Sequence, residues 1–251
     1  MIKNSSVMLL AALIFYSVPS HGQSSPPKSS ISSDQRKAIE TIIKEYLLKN
    51  PIIIRQAIKN LKEREAASEK ARVLIALKTY KKELLEDATS PVGGNYKGDI
   101  TVVEFFDYNC GYCKRAATTL KALQASDPNI RVVYKEFAIL GQKSVVAAKA
   151  ALAANRQGKY IKFHEGLMSG RTDVDSIASL ANSLGIDYSK LRKDMASSAI
   201  TNILQKNYKL ANALGISGTP VFVIGEKIIP GAVDLETLKQ VVLEERAKKT
   251  K

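Results

Sequence analysis

The stretch ITVVEFFDYNCGYC, residues 100–113, decides how this chain is read. Its first seven residues, Ile100–Phe106, are β-branched or aromatic apart from one glutamate, the composition of a buried strand. From Cys110 to Gln124 the pattern becomes helical, so Cys110-Gly111-Tyr112-Cys113 stands at a strand-to-helix junction. At a helix start the first sulfur meets unpaired backbone N–H groups and the positive end of the helix dipole, which stabilise a thiolate. A thiolate attacks a disulfide and a thiol does not. Cys110 is therefore expected to be the nucleophile. Cys113, one turn further in and more buried, is expected to resolve the mixed disulfide. Gly111 and Tyr112, the residues between them, would tune how well the thiolate is held and face the substrate.

Other uses of a Cys-x-x-Cys pair fit this chain poorly. Zinc needs four ligands, and beyond these two cysteines the chain past residue 22 offers one histidine, His164. Covalent haem requires a histidine after the second cysteine, where Lys114 stands. A purely structural disulfide would close too small a loop to stabilise much. No metal and no cofactor beyond the redox pair Cys110–Cys113 are expected. Glu104 interrupts a strand whose two faces are otherwise apolar, so it is expected to lie buried beneath the site. Burial would raise its pKa and suit it to accept the proton of Cys113.

Residues 130–137 (IRVVYKEF) read as a second strand, and residues 141–215 as an all-helical insert. His164, within that insert, reads as a packing or surface residue rather than a catalytic one. Gly218-Thr219-Pro220 then precedes the strand-like VFVIG, a turn at residues 225–227, a short return strand, and a closing helix over residues 234–247. A cis Thr219-Pro220 bond would set the Thr219 backbone beside Cys110, where it offers strand-like hydrogen bonds to an incoming peptide.

Upstream, residues 88–99 (ATSPVGGNYKGD) form a Pro/Gly-rich break taken as a domain boundary, with the catalytic domain over residues 89–251. Residues 31–88 read as helices. Ser32 and Gln35 have capping-box spacing, and Ile39, Ile42, Ile43, Tyr46 and Leu47 fall on one face. Asn50-Pro51 ends that helix and opens the next. These stripes offer sticky faces without a private core, so the region is expected to pack on the body of the protein or, the preferred reading, on a second copy of the chain. Residues 23–30 (QSSPPKSS) read as a flexible leader. Residues 1–22 read as a cleaved signal peptide: Lys3, an apolar segment over residues 7–18, Pro19, then small residues at Ser20 and Gly22. Twelve helical residues span about 18 Å, short of a hydrocarbon core of roughly 30 Å.

Composition narrows the function classes. With 45% hydrophobic and 25% charged residues the chain is ordinary globular material rather than fibrous or disordered. Two cysteines in 251 residues exclude a disulfide-stapled scaffold. The net charge of +14 is spread along the chain and accompanies no nucleic-acid motif.

The segments VVEFFDYNCGYC, GISGTPVFVIG and IIPG together resemble the DsbA-like thiol–disulfide oxidoreductases of bacterial envelopes, over roughly residues 90–251. The resemblance implies an α/β thioredoxin fold with an all-helical insertion. It makes Cys110 the attacking thiol, Cys113 the resolving thiol, Glu104 the buried acid and Pro220 the cis-proline preceded by Thr219. The Gly-Tyr dipeptide and the threonine before Pro220 resemble the disulfide isomerases of the DsbC type. The N-terminal helices resemble the oligomerisation region of ScsC-like members. The expectation is a periplasmic enzyme that forms or isomerises disulfides in unfolded or misfolded exported proteins. A membrane redox partner would restore the pair, no nucleic acid would take part, and the assembly would be a homodimer or a trimer. A dedicated dithiol oxidase, and a chaperone-like binding protein with an incidental Cys-x-x-Cys, stand as alternatives.

Overall fold

The computed structural model describes residues 31–249. The readings of residues 1–22 as a signal peptide and 23–30 as a leader lie outside the described residues. Among the described residues no helix is long and apolar enough to cross a membrane. The described residues divide into two units between Leu61 and Lys62.

In the first unit, helix α1 (Ser33–Lys49) starts with the expected capping box, in which Ser32 and Gln35 each bond the other's backbone N–H. Asn50 ends α1, its side-chain amide donating to the Tyr46 carbonyl, and Pro51 opens α2 (Pro51–Thr79). The apolar stripe is left bare: Ile39, Ile42, Ile43, Tyr46, Ile58 and Leu61 are all exposed.

The second unit is built on a five-stranded sheet in the order β1-β3-β2-β4-β5. Strand β2 (Ile100–Phe106) runs parallel to β3 (Ile130–Glu136) and antiparallel to β4 (Val221–Ile224). Helix α4 (Gly111–Ser126) connects β2 to β3, the crossover that a parallel pair requires. Strand β5 (Lys227–Pro230) closes one edge and leads to α10 (Leu235–Lys249). The other edge is β1 (Val92–Gly94), which the sequence reading placed inside a Pro/Gly-rich break. The expected helical insert comprises α5 (Gln142–Asn155), α6 (Tyr160–Ser169), α7 (Val174–Ser183), α8 (Tyr188–Met195) and α9 (Ser198–Ala213).

Both faces of the sheet are covered, which is why β2 and β3 read as continuous apolar runs rather than alternating ones. Val102 and Phe106 share one core with Cys113, Leu120, Phe163 and Leu238. Val103 and Phe105 face the other way, onto Leu77, Leu84, Leu210 and Leu214.

That second core corrects the expected boundary. The compact catalytic unit begins at Lys62 rather than at residue 89, because the end of α2 and helix α3 (Lys81–Leu85) fill the second face of the sheet. A buried lysine fixes this segment. Lys135 Nζ donates to the Glu83 carbonyl and to Ser90 Oγ, both at 2.6 Å, and pairs with Asp87 at 3.4 Å. Burial pulls the Lys135 ammonium down to about 8. Burial opposes charge on Asp87 as well, yet two bonds from Thr89, with Lys135 and Lys206, hold its carboxyl down to about 2.

Candidate active site

Cys110 is the N-cap of α4, with extended backbone (φ −83°, ψ 114°), and its sulfur accepts the Cys113 backbone N–H at 3.3 Å. The chain reverses here because residues 107–110 form a turn closed by the Cys110 N–H donating to the Asp107 carbonyl. Both cysteines are thiols. Thr219-Pro220 is a cis peptide, and the Thr219 carbonyl lies 3.4 Å from Cys110 Sγ.

The two sulfurs occupy opposed environments. Burial works against ionisation of Cys110, but hydrogen bonding at Thr219 and Cys113 and the N–H groups of Cys113 and Tyr112 outweigh it, leaving this thiol below its usual range. Cys113 is sealed in the core, and burial drives its thiol far above the usual range despite an N–H donated by Asp107 at 3.5 Å. One thiol is thus prepared to ionise and its neighbour is held protonated.

Gly111 is the first residue of α4, and a Cβ built there would meet nothing within 4 Å. Tyr112 is exposed, with the Arg115 guanidinium 4.5 Å over its ring. Glu104 is 0% exposed, and neither carboxylate oxygen has a hydrogen-bond partner. Burial alone pushes its carboxyl up to about 8. It is paired in register with Tyr134 on β3 and with Phe222 on β4, two residues past Pro220. The structure therefore gathers Cys110, Cys113, Thr219 and Pro220 at one helix start, and Glu104 lies in β2 on the face whose Val102 and Phe106 share a core with Cys113.

Two groups of polar residues around the site escaped the sequence reading. Asp107 is buried and accepts from the backbone of Asn109, Ile139 and Leu140 and from Ser144 Oγ, at 2.7–2.9 Å. Asn109, directly before Cys110, donates to Ser144 and accepts from Thr172. The approach to Cys110 is thereby tied to both ends of the insert's first half. The second group is Glu136 with Tyr108 and Tyr160, all buried, and beside them His164, which the sequence marks as a packing or surface residue and which is buried against Tyr108. A polar pair so close to the Cys-x-x-Cys in FFDYNC was the available signal for Asp107. Nothing local marked Glu136, whose partners come from two other elements.

Residues 101–242 match the DSBA-like thioredoxin domain. The chain belongs to the DsbA-like family of thiol–disulfide oxidoreductases. Upstream, residues 35–68 match the N-terminal domain of the copper resistance protein ScsC. Among solved structures, Proteus mirabilis ScsC in a transitional conformation is 32% identical, covering 88% of this chain and 100% of that one, with a TM-score of 0.65. A thioredoxin-like oxidoreductase from Silicibacter pomeroyi is 43% identical over 66% of this chain and 97% of its own, with a TM-score of 0.64. Among curated relatives, a Na(+)/H(+) antiporter NhaA of Salinispora arenicola is 28% identical over 60% of this chain, which spans about a quarter (24%) of that protein's length.

Proposed function

We propose that this DsbA-like oxidoreductase acts in the periplasm, where it forms or isomerises disulfide bonds, or does both, in exported proteins through Cys110 and Cys113. The observation that carries the reading is the opposed state of the two sulfurs: Cys110 eased toward thiolate at a helix start, Cys113 buried and protonated. In isomerisation the Cys110 thiolate attacks a substrate disulfide, forming a mixed disulfide and releasing one substrate thiolate. That thiolate attacks elsewhere in the substrate until the Cys110 thiolate is expelled again, with no net transfer of electrons. When the mixed disulfide persists, Cys113 loses its proton to Glu104 and attacks Cys110. Two electrons then pass to the substrate, leaving Cys110–Cys113 as a disulfide. Oxidation of a substrate dithiol is the same sequence reversed.

The Thr219 carbonyl beside Cys110 supports substrate binding by strand-like backbone pairing, with Gly111 and Tyr112 on the open side. The redox pair needs no further cofactor. When the pair acts as a net oxidant or reductant, a separate protein, which we take to be a membrane redox partner, restores it, since the sequence holds no third cysteine. The apolar residues left bare on α1 and early α2 support a homodimer, or a trimer, joined through this region. Reduced protein is expected to restore activity to scrambled ribonuclease, while Cys110→Ala is inert. Rapid oxidation of reduced ribonuclease without unscrambling would instead make the chain a dedicated dithiol oxidase. Full biological function in a variant lacking both thiols would make it a binding protein.

A further inference from the structure

Glu104 has no hydrogen-bond partner and no exposure, so a proton received there has no route to water along its own bonds. The nearest polar chain begins on the paired strand. Register sets Glu104 opposite Tyr134 and Phe106 opposite Glu136, so the two glutamates are diagonal neighbours on one sheet face, close enough that, besides burial, Glu104 helps raise the Glu136 carboxyl. Glu136 Oε2 is buried without a partner, while Oε1 accepts from Tyr160 at 2.7 Å and lies 3.0 Å from the Tyr108 hydroxyl. That hydroxyl is also 3.0 Å from His164 Nδ1. His164 in turn lines a surface cavity of about 330 Å³, together with Tyr134, Lys121, Glu165 and Met168.

We propose that Glu136, Tyr108 and His164 form a proton relay joining the floor of the dithiol site to this cavity. The Tyr108 hydroxyl has one hydrogen and two acceptor neighbours, so it has two bonded arrangements. In the first, protonated Glu136 donates to Tyr108, and Tyr108 donates to His164 Nδ1. Shifting both hydrogens outward leaves Glu136 as carboxylate and puts a hydrogen on Nδ1. Loss of the Nε2 hydrogen to water in the cavity then leaves a neutral imidazole. One proton has travelled from Glu136 to solvent, and Glu136 is ready to take the proton held by Glu104. Both acids are pushed up to about 8, Glu136 by burial working against the two tyrosine bonds, so exchange between them is close to balanced. His164 is held neutral, as the relay requires of its resting state, by burial that pulls it down to about 3. None of the three touches a sulfur; they act through Glu104. The relay therefore rests on the reading of Glu104 as the proton acceptor for Cys113.

The test uses the full-length protein carrying a glutathione mixed disulfide at Cys110. Release of glutathione by Cys113, and the reverse attack of glutathione on the oxidised pair, are timed in single turnovers for the parent and for Tyr108→Phe, His164→Ala and Glu104→Gln. Tyr108→Phe removes one hydroxyl and keeps the ring that meets Phe106 edge-on at 5.2 Å. The relay predicts that Tyr108→Phe and His164→Ala slow both directions about tenfold or more. It also predicts an unchanged equilibrium with glutathione, and recovery of His164→Ala, but not Tyr108→Phe, in imidazole buffer. Unchanged rates in Tyr108→Phe, or rates and equilibrium shifting together as for a structural lesion, overturn it. If Glu104→Gln is slow while the other two are not, the relay falls and the role of Glu104 stands. If Glu104→Gln is as fast as the parent, that role falls and takes the relay with it.

Discussion

Cys110 and Cys113 are one helical turn apart, yet their chemistry diverges because one occupies the cap and the other the core. At the cap, N–H groups and the helix dipole favour negative charge. In the core, desolvation forbids it. At neutral pH iodoacetamide is therefore expected to alkylate Cys110 of the reduced protein and leave Cys113 unmodified, as peptide mass spectrometry would show; equal labelling would contradict the asymmetry. Glu104 makes a second prediction. Its folded pKa of about 8 lies above its ordinary value of 4.5, so between these limits the folded state binds more protons than the unfolded one. Stability then falls as pH rises through that window. Glu104→Gln, which cannot titrate, should gain relative to the parent by about 3 kcal/mol between pH 4 and pH 7. Parallel denaturation curves of the two reduced proteins would measure it, and a difference independent of pH would show that Glu104 ionises freely in the fold. This burial was legible because a lone carboxylate in ITVVEFF has no polar face to occupy. The roles of Asp107, Glu136 and Tyr108 were not, since each depends on partners from the insert more than 20 residues away.

Among the elements, local chemistry named most of the structure in advance. The Ser32–Gln35 box starts α1, the β-branched runs became β2, β3 and β4, and Ala- and Leu-rich periodicity gave α5 to α9. Strand β1 was hidden because three residues with two glycines carry no strand signature; their pairing is imposed by β3. The attachment of α3 to the sheet was one of two packings open to this region, and its own leucines could not choose between them. Leu77 and Leu84 look like any amphipathic leucines until the sheet supplies Val103 and Phe105 opposite them. Leu84→Ala should therefore destabilise the catalytic unit by about 2–5 kcal/mol, measurable by urea denaturation. A loss under about 0.5 kcal/mol, the usual surface range, would mean that α3 is not part of this core.

For the molecule as a whole, the division between Leu61 and Lys62 separates a unit with a complete core from one whose apolar side chains remain exposed. Removal of residues 31–61 should leave a folded catalytic unit that still exchanges disulfides with glutathione. Light scattering should then report a monomer, against a dimer or trimer for the intact protein. A monomer in both cases would remove the support for assembly through α1, and loss of folding in the shorter chain would show that the catalytic unit depends on the first. Overall charge says little at this scale, because basic residues are distributed over many solvated helix faces.

The empty space around Gly111 bears on how such a protein changes over generations. A Cβ at that position would meet nothing within 4 Å, while standing next to Cys110, whose sulfur attacks the substrate. Substitutions there are expected to shift the couple toward stronger or weaker oxidation with little loss of folding stability. On that expectation the redox character of the pair is adjustable almost independently of the architecture.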